Sequence, residues 1–219
     1  MISLIAEKIQ RIVIGSSSLV VFQHIVASQI KVKSVRLIRH PVSINWRQIH
    51  KMGNEKIDNL KTGLLHLVPL EDKWFKRSVF LDLNLKTLQI LKNNEVWSVN
   101  SKVMCYGTED FSVDYSMHIP MINFHPESGV GVGDIIETIN AICPNQEGYL
   151  LESGRYYHYY GNCLLNEREW QLFLAQFLMP CIIVSPRYIG HALSDGYCSL
   201  RLTAEAIYKP KIPTVIQIL

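Results

Sequence analysis

Between Glu152 and Gly161 the chain reads ESGRYYHYYG, with a serine, a glycine, an arginine and a histidine set among four tyrosines. These residue types suit an anionic ligand. Gly154 lets the backbone turn or come close to a bound group, Ser153 can hydrogen-bond a phosphate oxygen, and Arg155 and His158 supply donors suited to a triphosphate. The plain alternative is a core strand with one satisfied histidine, its tyrosines serving strand propensity and packing or, less simply, base stacking. Hydrolysis is a poor third reading. A serine five residues before a histidine on an ideal strand points to the opposite face, and no G-x-S-x-G elbow is present.

Other segments are weaker candidates. GVGVGD (129–134) offers glycines before a helix, yet Asp134 already fills the positive helix end with a carboxylate, and the lysine of a P-loop is missing. It reads as a structural turn. Arg187 and His191, four apart, share one helix face. The five cysteines, 105, 143, 163, 181 and 198, are widely spaced, odd in number and without a C-x-x-C pair, which argues against a disulfide framework or zinc finger and fits a reducing cytoplasm. The net charge of +3 does not demand a nucleic-acid partner, although KVKSVRLIRH (31–40) and the tail from Arg201 through Lys209 and Lys211 are locally basic. Charges at Glu7, Lys8 and Arg11 interrupt the apolar start, so neither an export signal nor a spanning helix is expected there.

Positioning these residues requires mixed elements. VVFQHIVAS and IKVKSVRLI read as strands, and NWRQIHKMGNEKIDNLKTGLLHL has helical spacing. SVFLDLN and LKTLQILKNNEVWSV read as two strands with a turn at Asn93-Asn94, which places Asp82 at the end of the first. A helix follows Asp134 and stops at Pro144, and EGYLLESGRYYHYYG alternates as a strand pair or one bent strand. Asn166 and Glu169 form a capping box, with Leu165 and Trp170 as a hydrophobic staple. Pro186 begins a short helix that ends near Gly196, and CSLRLT and TVIQIL are closing strands. The order is α+β, not a regular βαβ alternation. No linker separates domains, so one compact unit is expected, with residues 1–75 as an amino-terminal α/β part of unassigned role and 76–219 as the core.

The order FLDLN, LLESGRYYHYYG, helix, IIVSPRYIGHAL, LRLT and a K-x-K-x-P tail resembles the archaeo-eukaryotic primase superfamily, in particular small stand-alone primase-like proteins of prokaryotes. The resemblance covers roughly residues 75–219, and SGRYYHYYG, NEREWQLFLAQFLM and SPRYIGHAL are its most specific parts. It implies a primase-type catalytic core whose RRM-like sheet, packed against helices near 134–143 and 166–179, carries Asp82 and His158. The family's acidic pair, D-x-D or D-x-E, corresponds to Asp82 and Asn84, which would hold the metal. Its serine-glycine-histidine segment corresponds to Ser153, Gly154, Arg155 and His158, contacting nucleotide phosphates. Ser185 stands where a further metal-binding aspartate is expected. Arg201 and either Lys209 or Lys211 would reach phosphates.

The departures from the family pattern matter as much as the match. Two divalent ions about 3.5–4 Å apart are normally clamped by several carboxylates, whereas Asn84 is neutral and Ser185 a poor ligand. Asp195, Asp110 or Asp114 would have to stand in. The resulting expectation is a primase-polymerase-like protein with a degenerate metal site. It would bind a nucleoside triphosphate or nucleic acid, with another protein subunit, in a cytoplasmic prokaryotic assembly for replication, mobile elements or defence. The rivals are an active magnesium- or manganese-dependent DNA-directed nucleotidyltransferase, with Asp82 and His158 as its catalytic residues, and a structural subunit without ligand.

Overall fold

The computed structural model describes residues 10–41, 70–89, 95–107, 113–204 and 209–219. The helix expected within 45–67, the turn at Asn93-Asn94 and Asp110 lie outside these residues.

The first element corrects the sequence reading. VVFQHIVAS is not a strand but part of helix α1, Ser18–Ser28. Val21, Phe22, Ile25 and Val26 are fully buried, a pattern of adjacent pairs four residues apart that a helix places on one side. Burial on that scale overrides the strand preference of β-branched residues.

Strand β1, Val32–Pro41, follows, antiparallel to β2, Glu71–Lys76, and to β3, Glu95–Cys105. β3 is the long central strand. On it pair β4, Tyr115–His118, alongside 102–105, and β8, Ser199–Arg201, alongside 98–100, completing a five-stranded sheet. β1 thus shares its sheet, and its hydrophobic core, with strands far downstream.

SVFLDLN and the LKTLQ that follows, read from sequence as parts of two strands, instead form two short helices and the turn between them. Residues Arg77–Leu81 form α2 and Leu85–Gln89 form α3, with Asp82 at the carboxyl cap of α2. Two local interactions decide this. The Gln23 side-chain amide donates to the carbonyls of Phe80, Leu81 and Leu83 at 2.9, 3.3 and 2.8 Å, so carbonyls that a strand would spend on a neighbour are taken by α1. Asn84 Oδ1 accepts from the Thr87 amide and hydroxyl at 2.9 and 3.0 Å, an amino-terminal cap on α3.

A second, four-stranded antiparallel sheet has the order β5-β7-β6-β9, with β5 Met121–Phe124, β6 Gly148–Glu152, β7 Tyr157–Gly161 and β9 Thr214–Ile218. Its two faces have different partners. Ile122, Phe124, Leu150 and Tyr159 face helices α4 (Val132–Ile142), α5 (Glu167–Gln176) and α6 (Pro186–Asp195). Met121, Leu151, Tyr160 and Val215 face the other sheet and α1. The α+β architecture expected from sequence is observed.

The helix ends match the sequence reading closely. The Asn166 side chain accepts from the Glu169 amide at 3.0 Å while Glu169 Oε2 accepts from the Asn166 amide at 2.8 Å. Asp134 Oδ2 accepts from the Gly131 amide at 2.7 Å, so this carboxylate closes the α4 amino terminus. Pro186 opens α6, and Gly196 at φ +71° ends it.

Gly148 permits a contact that no other residue would. A Cβ there would lie 2.4 Å from Tyr159 Cε2, and the Tyr159 ring is fully buried with nowhere to retreat. Gly148→Ala is therefore expected to lower stability by about 1–3 kcal/mol, measured by denaturant unfolding. An unchanged midpoint would show that the ring is free to move.

Candidate functional site

A cavity of about 370 Å³ lies against one face of the five-stranded sheet. Its floor is Ile38 and His40 of β1, Val96 and Ser98 of β3, and Ser199 and Arg201 of β8; Asn123 and His158 of the second sheet, α6 and Lys209 wall it. Two-residue alternation explains the composition. In β7, Tyr157 and Tyr159 turn toward the helices, so His158 and Tyr160 turn toward the first sheet. Asn123 is the β5 partner of His158 and shares its face.

His158 is buried, and its Nδ1 lacks a hydrogen-bond partner among the described residues, as do His40 Nδ1 and Asn123 Oδ1. Burial, and then the positive charges of Arg201 and Lys209, push the His158 imidazole well below its ordinary range. It is neutral at pH 7. Cations beside neutral, underused imidazoles are chemically suited to an anionic oxygen.

The residues expected to bind phosphate divide in two. His158, Arg201 and Lys209 line the cavity together. Ser153, Gly154 and Arg155 instead form the β6–β7 hairpin turn and are not among the lining residues. The Ser153 amide and hydroxyl donate to the Tyr156 carbonyl at 2.8 and 3.0 Å, and Gly154 takes φ +105°. Arg155 is exposed, its guanidinium 5.8 Å from the Tyr156 ring centroid. Arg201 also differs from a simple phosphate ligand. Its guanidinium donates to the carbonyls of Thr203 and Lys211 at 2.6 Å and of Ser153 at 2.7 Å, tying β8 to the hairpin and the tail.

The expected metal pair is not brought to this cavity. Asp82 and Asn84 are exposed on the α2–α3 connection rather than on a core strand, and neither lines the cavity. Ser185 is the amino-terminal cap position of α6, and Asp114 pairs with Lys33. Of the stand-in acids, Asp195 lines the cavity from the end of α6.

Comparison with known protein families matches residues 78–214 to the family described as AEP-like, archaeo-eukaryotic primase 1D-like, over more than half of the chain. The chain belongs to this archaeo-eukaryotic primase-like family. The matched region contains His158, Arg201, Lys209 and Asp195, while β1 lies before it. No curated protein and no solved structure gives a significant match.

Primase chemistry implies a pair of divalent ions, and the described residues that line the cavity do not fit one. Among the described residues lining the cavity Asp195 is the one carboxylate, and no group of three or more described His, Cys, Asp or Glu is arranged to hold a metal. Sequence reading missed His40, Ser98 and Asn123. A usable signal did exist: Ser98 and Asn100 are polar residues two apart within an apolar strand, and both are buried.

Behind the cavity runs a second polar chain. Glu167 Oε2 lies 3.1 Å from His118 Nε2, His118 Nδ1 lies 3.3 Å from Ser101 Oγ, and Ser101 Oγ accepts from the Cys198 amide at 2.9 Å. His118 also stacks on Trp170 with ring centroids 4.3 Å apart. Ser101 is fully buried, so this triad-like order joins β3, β4, α5 and the start of β8 rather than presenting a nucleophile.

Partly buried imidazoles make stability pH-dependent. Burial, followed by Lys209, lowers His40 and His125 to about 4. The unfolded chain takes up protons near pH 6.5 while the folded chain resists until about pH 4, so in that interval the unfolded state binds more protons and stability rises with pH. The unfolding midpoint is expected to be level above pH 6.5 and to fall steadily toward pH 4. A midpoint flat across that interval would contradict the burial of these side chains.

Proposed function

We propose that this family member is a primase-polymerase-like protein with a degenerate metal site, which binds the phosphates of a nucleoside triphosphate or nucleic acid in the cavity around His158. The observation that carries this reading is His158 itself, buried beside Arg201 and Lys209 with Nδ1 unpartnered among the described residues. Degeneracy draws support from β3. On this core strand Ser98 faces the cavity and carries no charge, and Asp195 is the one carboxylate among the described residues that line it. Neutral side chains suit phosphate recognition but not a clamp for two divalent ions.

The protein would act in the cytoplasm of a prokaryote as a nucleotide- or nucleic-acid-binding subunit, beside another protein, in a replication, mobile-element or defence assembly. Among the described residues no helix is long and apolar enough to cross a membrane, which is compatible with that setting.

A second reading, an active manganese-dependent primase or nucleotidyltransferase that recruits a remote acid, is favoured by Asp195 alone, because it reaches the same cavity. Titrating a nucleoside triphosphate with magnesium, with manganese and with chelator separates the two. Binding that survives chelator supports the degenerate site. Binding that requires manganese, with primer synthesis lost in Asp195→Ala, would replace it.

A further inference from the structure

Beyond the cavity the same sheet face continues onto an exposed aromatic and cationic strip. Arg36 and Trp74 are cross-strand partners of β1 and β2, and Ile38 and His40 of β1, on the same face as Arg36, lie on the cavity floor. The Arg36 guanidinium stands 4.8 Å from the Tyr197 ring centroid and 6.0 Å from that of Trp74, and Tyr197 is itself a cavity wall. Asp72 grips this guanidinium at two oxygens, with Nε donating to Oδ1 at 2.7 Å, so its plane is fixed. Trp74 is 43% exposed, unusual for so large an apolar ring on a sheet, and Lys76 continues the strip on the same face.

A fixed guanidinium between two aromatic rings, one of them open to solvent, matches the sequence-tolerant stacking of an unpaired base. Arg36 and Ile38 are about 7 Å apart along the strand, close to the reach of one extended nucleotide. Duplex DNA hides its base faces within the stack, so it cannot use such a platform without being opened. We propose that Trp74, Arg36 and Tyr197 form a stacking platform for single-stranded nucleic acid, leading its strand along the sheet face toward the cavity. This rests on the reading of the cavity as a phosphate site and assigns the ligand class as a single strand, with Lys76 meeting the backbone.

The test is a fluorescence titration of the full chain with an oligothymidylate of about ten nucleotides, compared with a duplex of that length and with thymidine triphosphate. The single strand is expected to quench tryptophan emission. Trp74→Ala is expected to lose most of that quenching and to weaken binding about tenfold or more, Trp74→Phe to retain most of the affinity, and Lys76→Glu to weaken it in a salt-dependent way. Triphosphate affinity should not change in any of the three. Circular dichroism serves as the folding control, because an exposed ring can be removed without opening the core. Wild-type affinity for the single strand in both Trp74 variants, or preference for the duplex, would overturn the platform. If triphosphate still bound, the cavity reading would survive that failure. Trp74-dependent strand binding without triphosphate binding would support the platform and remove the cavity as a nucleotide site.

Discussion

Arg201→Ala is expected to destabilise the fold by about 3–5 kcal/mol, far more than the loss of a ligand contact alone would cost. The side chain is 6% exposed, and its guanidinium serves three backbone carbonyls drawn from separate parts of the chain: Thr203, Lys211 and Ser153. Alanine would leave those acceptors without this donor in a part-buried setting, and it would unfasten the hairpin turn from β8. Lysine should not rescue the variant, because one ammonium group cannot reproduce a planar fork with several fixed donors. Denaturant unfolding of both variants measures the effect. A loss below about 1 kcal/mol for Arg201→Ala would show that the carbonyls are satisfied without it, and that Arg201 is mainly a ligand group.

The second large effect concerns protons. In the free protein His158 is neutral at pH 7, held below its ordinary range by burial, Arg201 and Lys209. A phosphate seated beside it would favour the imidazolium and raise that pKa. Binding should therefore take up a proton, and affinity should increase as pH falls from about 8 toward 6, provided the fold is intact. Calorimetry in two buffers of different ionisation enthalpy reads the uptake directly. His158→Gln keeps a polar side chain but cannot take up the proton, so it should abolish the uptake and cost about ten- to a hundredfold in affinity. Uptake that persists in His158→Gln would assign the proton to another group, with His40 the next candidate on the cavity floor.

The parts of the fold that sequence made legible are those governed by neighbours along the chain. The Asn166–Glu169 capping box, the Pro186 start and Gly196 stop of α6, and the alternation of β6 and β7 each depend on residues within a few positions. Of the segments read wrongly as strands, LKTLQ is a short helix behind its local Asn84 cap, whereas the other two depend on distant partners. VVFQHIVAS is helical because Phe22, Ile25 and Val26 are buried in a core shared with β1, β3 and Tyr160. SVFLDLN is helical because Gln23, nearly sixty residues earlier, takes its carbonyls. No local pattern contains that information.

The candidate site divides along the same line. Residue chemistry and the family resemblance nominated His158, the resemblance nominated Arg201 and Lys209, and all three line the cavity. The resemblance put Asp82 on a core strand, whereas the structure places it at the carboxyl cap of α2, outside the residues that line the cavity. His40, Ser98 and Asn123 come from three strands in two sheets, and only tertiary pairing brings them together. The tyrosines divide too: Tyr159 and Tyr160 are fully buried core, whereas Tyr156 stacks on His125 with centroids 3.9 Å apart.

Calorimetric titration of a nucleoside triphosphate into the wild-type protein and into His158→Ala, both in chelator, tests the central claim most directly. A phosphate-binding cavity without a metal clamp predicts saturable binding to the wild type that falls at least tenfold in the variant, with the unfolding midpoint checked in parallel. Equal affinity for the two proteins, or no binding to either, would contradict it and leave His158 as a buried part of the sheet.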